Sequence, residues 1–370
     1  MKPSATLLLL LGLALAPFAT RAEPASPAAT ASKAVDPRKW WDSPDPARAK
    51  ENPEATKAAR VRVEKNKFVN EAGETILFRG VSVADPDLLE YEGHWNKQLF
   101  QQVKNLGATI VRLPVHPAGW RARTPEKYIQ LLDQAASWCT ELGLYVIIDW
   151  HSIGNLRTGL YQNPMYDTDR RETFAFWRAI ARHFGQHHTV AFYELFNEPT
   201  SFNGTLGRAN WSDWRETNEE LIALVRANGG AGIPLVAGFD WAYDLTPIIE
   251  DPVRAPGIAY VAHPYSNKRS QPWEPKWEED FAFAARRFPV VATEIGFDLR
   301  SGETINDDHY ANRVTRFLES HGISWLAWVY DPTWWPAMLK SWDHYELSAP
   351  GEFFKTALQR PPQKLIAKEH

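Results

Sequence analysis

Eight short apolar runs rich in β-branched residues recur along this chain, and their regular spacing restricts the fold more than any other feature. They cover residues 76–83, 109–115, 144–150, 191–196, 233–237, 258–262, 289–293 and 324–329, one beginning about every 35 residues. Helical periodicity fills the intervals over 95–106, 125–142, 170–184, 211–227, 273–287 and 307–321. Continuous apolar strands belong in a parallel sheet covered by helices. Eight βα units in about 300 residues predict an α/β fold of the closed (β/α)8 TIM-barrel kind, in one domain over residues 61–360. An open nucleotide-binding sheet would want a Gly-rich loop after its first strand, where this chain has Val81-Ser82-Val83-Ala84-Asp85-Pro86.

The flanks read differently. Lys2, the apolar run from Leu7 to Ala16 and Thr20-Arg21-Ala22 form the pattern of an export signal over residues 1–22, cleaved near Ala22. The run is too short to span a bilayer. The mature protein is therefore expected in the periplasm or outside the cell, off the membrane and monomeric. Residues 23–60 are Ala/Pro-rich and expected to be flexible, with Trp40 and Trp41 as the two side chains that could dock on the body. Residues 361–370 form a C-terminal tail. The single cysteine, Cys139, cannot make an internal disulfide. With 41 basic against 45 acidic residues, net −4, the chain lacks the cationic field that nucleic-acid binding needs.

A barrel of this kind carries its site at the C-terminal ends of the strands. There the sequence turns polar: Arg112 and His116 at the second strand, Asp149-Trp150-His151 at the third, Asn197-Glu198-Pro199 at the fourth, His263-Pro264-Tyr265 at the sixth, Glu294 at the seventh and Trp328 to Asp331 at the eighth. Charged groups are costly to bury unless paired or used, so their convergence on one end is a functional signal. Glu198 and Glu294 come from strands three places apart, which can oppose two carboxyls across the mouth, and two opposed carboxyls are what glycosidic bond cleavage requires.

The stretch Leu195-Phe196-Asn197-Glu198-Pro199 resembles the Asn-Glu-Pro acid/base motif of glycoside hydrolase family 5, the cellulase-like retaining glycosidases. Arg112, His151, Asn197, Glu198, His263, Tyr265, Glu294 and Trp328 fall in the order in which that family keeps its active-site residues, and the match runs from Val61 to about Leu358. The resemblance implies Glu294 as nucleophile, with its ionised form favoured by Arg112 and Tyr265, and Glu198 as acid and then base, with its pKa raised by the neighbouring carboxylate. Asn197 would hold the sugar 2-hydroxyl, His116, His151 and His263 would support the subsite, and Trp328 would be its floor. The implied activity is endo-hydrolysis of a neutral β-linked polysaccharide, β-1,4-glucan first, with no metal and no cofactor. Mannan, xyloglucan and β-1,3-glucan remain alternatives, since Ser82 and Ala191 depart from the family's usual residues. A binding barrel without catalysis is the other class; it would have lost one of the two glutamates, and both are present.

Lesser candidates get blander expectations. His183, His187 and His188 are expected at a solvated helix end, and Asp85 with Asp87 as a loop cap rather than a cation site. Trp138, Trp177 and Trp214 lie on helical stripes and are expected to pack; Trp150, Trp241, Trp328, Trp334 and Trp335 follow strands and are expected along a groove.

Overall fold

The computed structural model describes residues 40–41, 45–49, 58–200, 206–300 and 302–361. The expected leader lies outside the described residues, as does nearly all of the C-terminal tail. Eight parallel strands close into a barrel in sequential order: β1 (Arg79–Ser82), β2 (Ile110–Val115), β3 (Tyr145–Trp150), β4 (Val190–Glu194), β5 (Ile233–Ala237), β6 (Ala259–Val261), β7 (Val290–Ile295) and β8 (Ser324–Ala327), with β8 returning to β1. Each lies within the run expected of it or overlaps it closely.

Helices surround the ring, including α1 (Pro86–Tyr91), α2 (Lys97–Asn105), α3 (Pro117–Arg123), α4 (Pro125–Leu142), α5 (Arg170–Phe184), α6 (Trp211–Ala227), α7 (Trp273–Asp280) and α8 (Tyr310–Ser320). Their ends follow local chemistry. Asp169 and Asn210 cap α5 and α6 with side-chain oxygens, and α4 starts on Pro125 and stops at Gly143 in the left-handed conformation. The helix expected over 273–287 breaks at Phe281 and continues as a 3-10 turn, Ala282–Arg286. No helix among the described residues is long and apolar enough to cross a membrane.

The period-2 alternation of each strand divides its side chains between two cores. Phe78, Ile110, Ile147, Phe192, Leu235, Val261, Val291 and Leu326 fill the barrel interior, while Val81, Val111, Leu113, Val146, Ile148, Tyr193, Val236 and Trp325 pack outward against the helices. At one tight place between β1 and β2 a Cβ on Gly80 would stand 2.1 Å from the Ile110 carbonyl oxygen, so only glycine fits. A small antiparallel sheet (Arg62–Glu64, Lys67–Val69, Thr75–Ile76) lays Phe68 against Phe78 and Phe192 where the strands begin.

Residues 40–41 and 45–49 contact the outer side of α5. The Trp40 indole N–H donates to Glu172 Oε1 at 2.9 Å and its ring meets Trp120 edge-on, while Asp45 pairs with Arg178 and Arg182. His183, expected in solvent, is instead buried: Nδ1 faces the Ala47 carbonyl, and Nε2 lies 2.7 Å from Asp133 Oδ1. The pairing partners come from distant parts of the chain, which is why helix periodicity alone did not place it.

Candidate active site

Going up the barrel, the inward positions turn from apolar to polar. In steps of two, Ile110 is followed by Arg112, Ile147 by Asp149 and then His151, Phe192 by Glu194, and Val261 by His263 and then Tyr265. The site is thus the top layer of the barrel core. Thr293 and Glu294 are consecutive and yet both enter it; the register between β7 and β8 shifts between Ala292 and Ile295, and such a bulge re-aims a side chain.

Arg112, fully buried, organises the layer. Its Nε and Nη2 donate to the two oxygens of Glu194 at 2.7 and 3.0 Å, Nη1 donates to Glu294 Oε1 at 2.8 Å, and Nη2 also donates to Asn197 Oδ1 at 2.6 Å. Asp149 Oδ2 lies 3.0 Å from the same Nη2 and 2.6 Å from His151 Nδ1. Glu194 and Thr293, neither of which the sequence reading singled out, are therefore structural members of the site. Glu194 sits inside an apolar run, and the signal was there: a lone charge in a strand buried on both faces has to be paired.

Asn197 and Glu198 are fixed from the side. A short sheet above the barrel pairs Ile153–Asn155 with Glu198–Pro199, and the amides of Asn197 and Glu198 donate to the carbonyls of Trp150 and Ser152, both at 3.1 Å. Because Arg112 holds Asn197 Oδ1, the buried Nδ2 points its two donors elsewhere, and no protein group accepts them. The Tyr265 hydroxyl donates to Glu294 Oε2 at 2.9 Å. His263 bridges: Nδ1 lies 2.9 Å from Glu198 Oε1 and Nε2 lies 2.8 Å from Thr293 Oγ1. Thr293 gives its one hydroxyl proton to Glu194 Oε1 at 2.8 Å, so it must accept from His263 Nε2–H.

Electrostatics follow from this packing. Burial alone would lower the pKa of His263, but Glu294, Glu194 and Glu198 outweigh it and raise the ring to about 9, so it is an imidazolium at neutral pH. Burial lifts Glu294 above the ordinary carboxylate range against the pull of His263 and Arg112, with Glu198 adding to the rise. Arg112 and the Tyr265 hydroxyl do each favour the ionised form, as the sequence implied, but burial outweighs them in the net shift. Burial also lifts Asp149 well above its usual value, while Arg112 and His263 overcome burial to hold Glu194 below its own. Glu198, His263 and Glu294 each present one ligand atom within 4.8 Å of the others, a grouping that could grip a cation in shape. A protonated imidazole, however, has no lone pair to offer a metal.

Aromatic walls complete the cleft. Trp328 stacks on His151 with centroids 5.3 Å apart and planes within 3°. Trp334 packs against His116, whose burial lowers its pKa to about 3, so that ring is neutral; His116 also donates its amide to Asp85 Oδ2 at 2.7 Å. Asp85 is the cap of α1, as expected for that pair. Trp241 donates to Gln162 Oε1 at 2.9 Å with the Lys268 ammonium 4.8 Å from its ring centroid. Trp150 does not line the groove: it is fully buried, stacked on Phe176 with centroids 4.2 Å apart. Alternation explains the correction, since inward Asp149 and His151 leave Trp150 facing the helices. Trp177 and Trp214 are buried and Trp138 half-buried, all three in the outer core. All nine residues expected at the site, Arg112, His116, His151, Asn197, Glu198, His263, Tyr265, Glu294 and Trp328, gather at this end of the barrel.

Residues 69–333 match the family model Cellulase (glycosyl hydrolase family 5). Among curated proteins the chain is 28% identical over 270 residues to Endoglucanase E-5 of Thermobifida fusca, covering 68% of this chain and 53% of that protein. It is 24% identical to Cellulase CelDZ1 of Thermoanaerobacterium sp, covering 72% of each. The chain spans about half the length of the first curated relatives it matches. Among solved structures, the β-glucanase SdGluc5_26A of Saccharophagus degradans is 42% identical with a TM-score of 0.80, over 86% of this chain and 98% of that one; it has also been solved with cellotetraose.

Proposed function

Since the chain belongs to glycosyl hydrolase family 5, we propose that it cleaves the backbone of a β-linked glucan, β-1,4-linked first, in an endo fashion and with retention of configuration. The observation that carries the reading is the closeness of two carboxyls: oxygens of Glu198 and Glu294 lie within 4.8 Å. Retaining enzymes hold their pair at about 5 to 5.5 Å, whereas inverting ones leave room for a water at roughly 6.5 to 9.5 Å.

In the first step Glu294 attacks the anomeric carbon as the glycosidic C–O bond breaks, and Glu198 passes its proton to the departing oxygen. In the second, Glu198 takes a proton from water, the water oxygen bonds to the anomeric carbon, and the Glu294 carboxylate leaves. Arg112 and Tyr265 donate to different oxygens of Glu294 and fix its attack direction. Two cations, Arg112 and His263, face four carboxyls, Asp149, Glu194, Glu198 and Glu294. A dry cluster with that imbalance retains protons on some of its carboxyls, which suits a site that must give one away. The Asn197 amide has donors free for a sugar 2-hydroxyl, and Trp328 offers the ring beneath it. Export with cleavage after Ala22 is part of the same reading, supported by Lys2 and the Leu7 to Ala16 run; the exported protein should begin at Glu23.

The test is hydrolysis of carboxymethyl-cellulose, barley β-glucan, lichenan, laminarin, glucomannan and xyloglucan, with the anomer of the first product read by NMR. Glu294→Ala should lose turnover by orders of magnitude on every glycan. Glu198→Ala should lose far less on an aryl glycoside with a good leaving group. An α-anomer as the first product, or wild-type turnover in either variant, refutes the assignment.

A further inference from the structure

All seventeen tryptophans are among the described residues, and only Trp335 stands mostly in water, 66% exposed. A ring that large is usually tucked away, and where it is not, its flat face is available for a ligand. This one is also held firmly. Its indole N–H donates to Asp298 Oδ2 at 3.1 Å, on the loop after β7, and its carbonyl accepts the indole N–H of Trp328 at 3.2 Å. The next residue, Pro336, receives the Val329 amide on its carbonyl at 3.1 Å, and its ring sits so close to Gly296 that a Cβ there would stand 2.6 Å from Pro336 Cγ. The exposed ring is therefore tied to the loop that follows Glu294 and to the floor indole. Its neighbour Trp334 turns the other way, inward to His116.

Direction comes from the reaction, and the inference rests on the reading given above. Glu198 follows β4 and protonates the departing oxygen, so the leaving part of the chain lies on the β4 side. The retained part then extends the opposite way, and in this eight-membered ring the strand opposite β4 is β8. Trp335 is carried on the loop after β8. We propose that Trp335 is a stacking platform for the retained side of the glycan, taking the C–H face of a glucosyl unit beyond the one over Trp328, with Asp298 fixing the ring's orientation.

The test measures binding by calorimetry to Glu294→Gln, which should bind without turnover, using cellobiose, cellotriose and cellotetraose. Adding Trp335→Ala should weaken the longest oligosaccharide roughly ten-fold, the scale of one stacking contact, and cellobiose by less than about two-fold. Trp335→Phe keeps a flat face and should recover most of the loss; Asp298→Ala should fall between the two. In the active protein the corresponding change is a higher KM with kcat kept, because the contact lies away from the reacting atoms. Equal affinity of Glu294→Gln with and without Trp335→Ala across the series refutes the platform alone. If Glu294→Gln itself binds none of the oligosaccharides, the functional reading fails and the platform with it.

Discussion

Replacing Glu194 by Gln tests whether the buried charge network is what holds the site together. The carboxylate accepts three hydrogen bonds: from Arg112 Nε at 2.7 Å, from Arg112 Nη2 at 3.0 Å and from the Thr293 hydroxyl at 2.8 Å. A Gln side chain has one oxygen and one NH2. Whichever way it turns, at least one donor of a fully buried guanidinium faces another donor. Breaking a buried pair by removing one charge costs about 3 to 5 kcal/mol; Glu294 and Asp149 still face the guanidinium, so the lower end, about 3 kcal/mol, is expected. Unfolding entropy near 2.1 cal/mol/K per residue over about 300 ordered residues is about 0.6 kcal/mol/K, which converts that loss to a Tm lower by about 5 °C. A second readout comes from His263, whose Nε2 lies 3.8 Å from Glu194 Oε1. Losing that anion lowers the ring's pKa from its value of about 9, so the alkaline limb of kcat/KM should move to lower pH. Differential scanning calorimetry and a pH–rate profile on a soluble β-glucan read the two effects. A Tm within about 1 °C of wild type together with an unmoved alkaline limb would mean that the charge of Glu194 supports neither Arg112 nor His263.

His263→Gln isolates the imidazolium. The folded pKa of about 9 lies above the ordinary histidine value of 6.5, so the charged ring adds stability that is complete below about pH 6.5 and is lost as pH rises through about 9. The Tm gap between wild type and His263→Gln should therefore be wide near pH 6 and close toward pH 10; a gap constant with pH would show that the charge contributes nothing. Trp40→Phe removes the indole donor to Glu172, which is buried, while the Arg121 bond to Glu172 Oε2 at 2.7 Å remains. The expected cost is about 1 to 2 kcal/mol, or about 2 to 3 °C in Tm, with kcat at low temperature unchanged; an unchanged Tm would mean that the Trp40 indole contact adds no stability to the barrel.

The strands were readable because in a barrel both faces are covered, so each strand writes itself as a continuous apolar run. Helix ends at Arg170–Phe184 and Trp211–Ala227 were readable because Asp169 and Asn210 are built to satisfy the first free amides. Most of the site was readable for a related reason: the top layer of the barrel is the last place a strand can put a side chain before it leaves the core, so polar residues just past an apolar run mark it. What escaped lies where that rule gives no signal. Thr293, two residues beyond inward Val291, carries no charge to mark it, and only a bulge brings its neighbour Glu294 into the site beside it. His183 is buried by Asp133 and by a carbonyl more than a hundred residues away.

Glu194 and Trp150 are the more instructive cases, because the strand's own alternation contains the answer. From Phe192, an inward residue, two steps lead to Glu194; from Ile147 two steps lead to Asp149 and four to His151, which leaves Trp150 on the helix side. Proximity to a strand end is thus a poor guide to which aromatic meets a ligand, and parity is a better one. By parity Trp328, two residues beyond inward Leu326, belongs to the barrel mouth. Beyond the strand parity no longer applies, and there Trp334 and Trp335 are sorted by what their loop binds: His116 draws one inward and Asp298 holds the other out. A groove-lining role for Trp335 therefore has to be argued from its hydrogen bonds, its exposure and the β8 loop that carries it, since strand parity says nothing there.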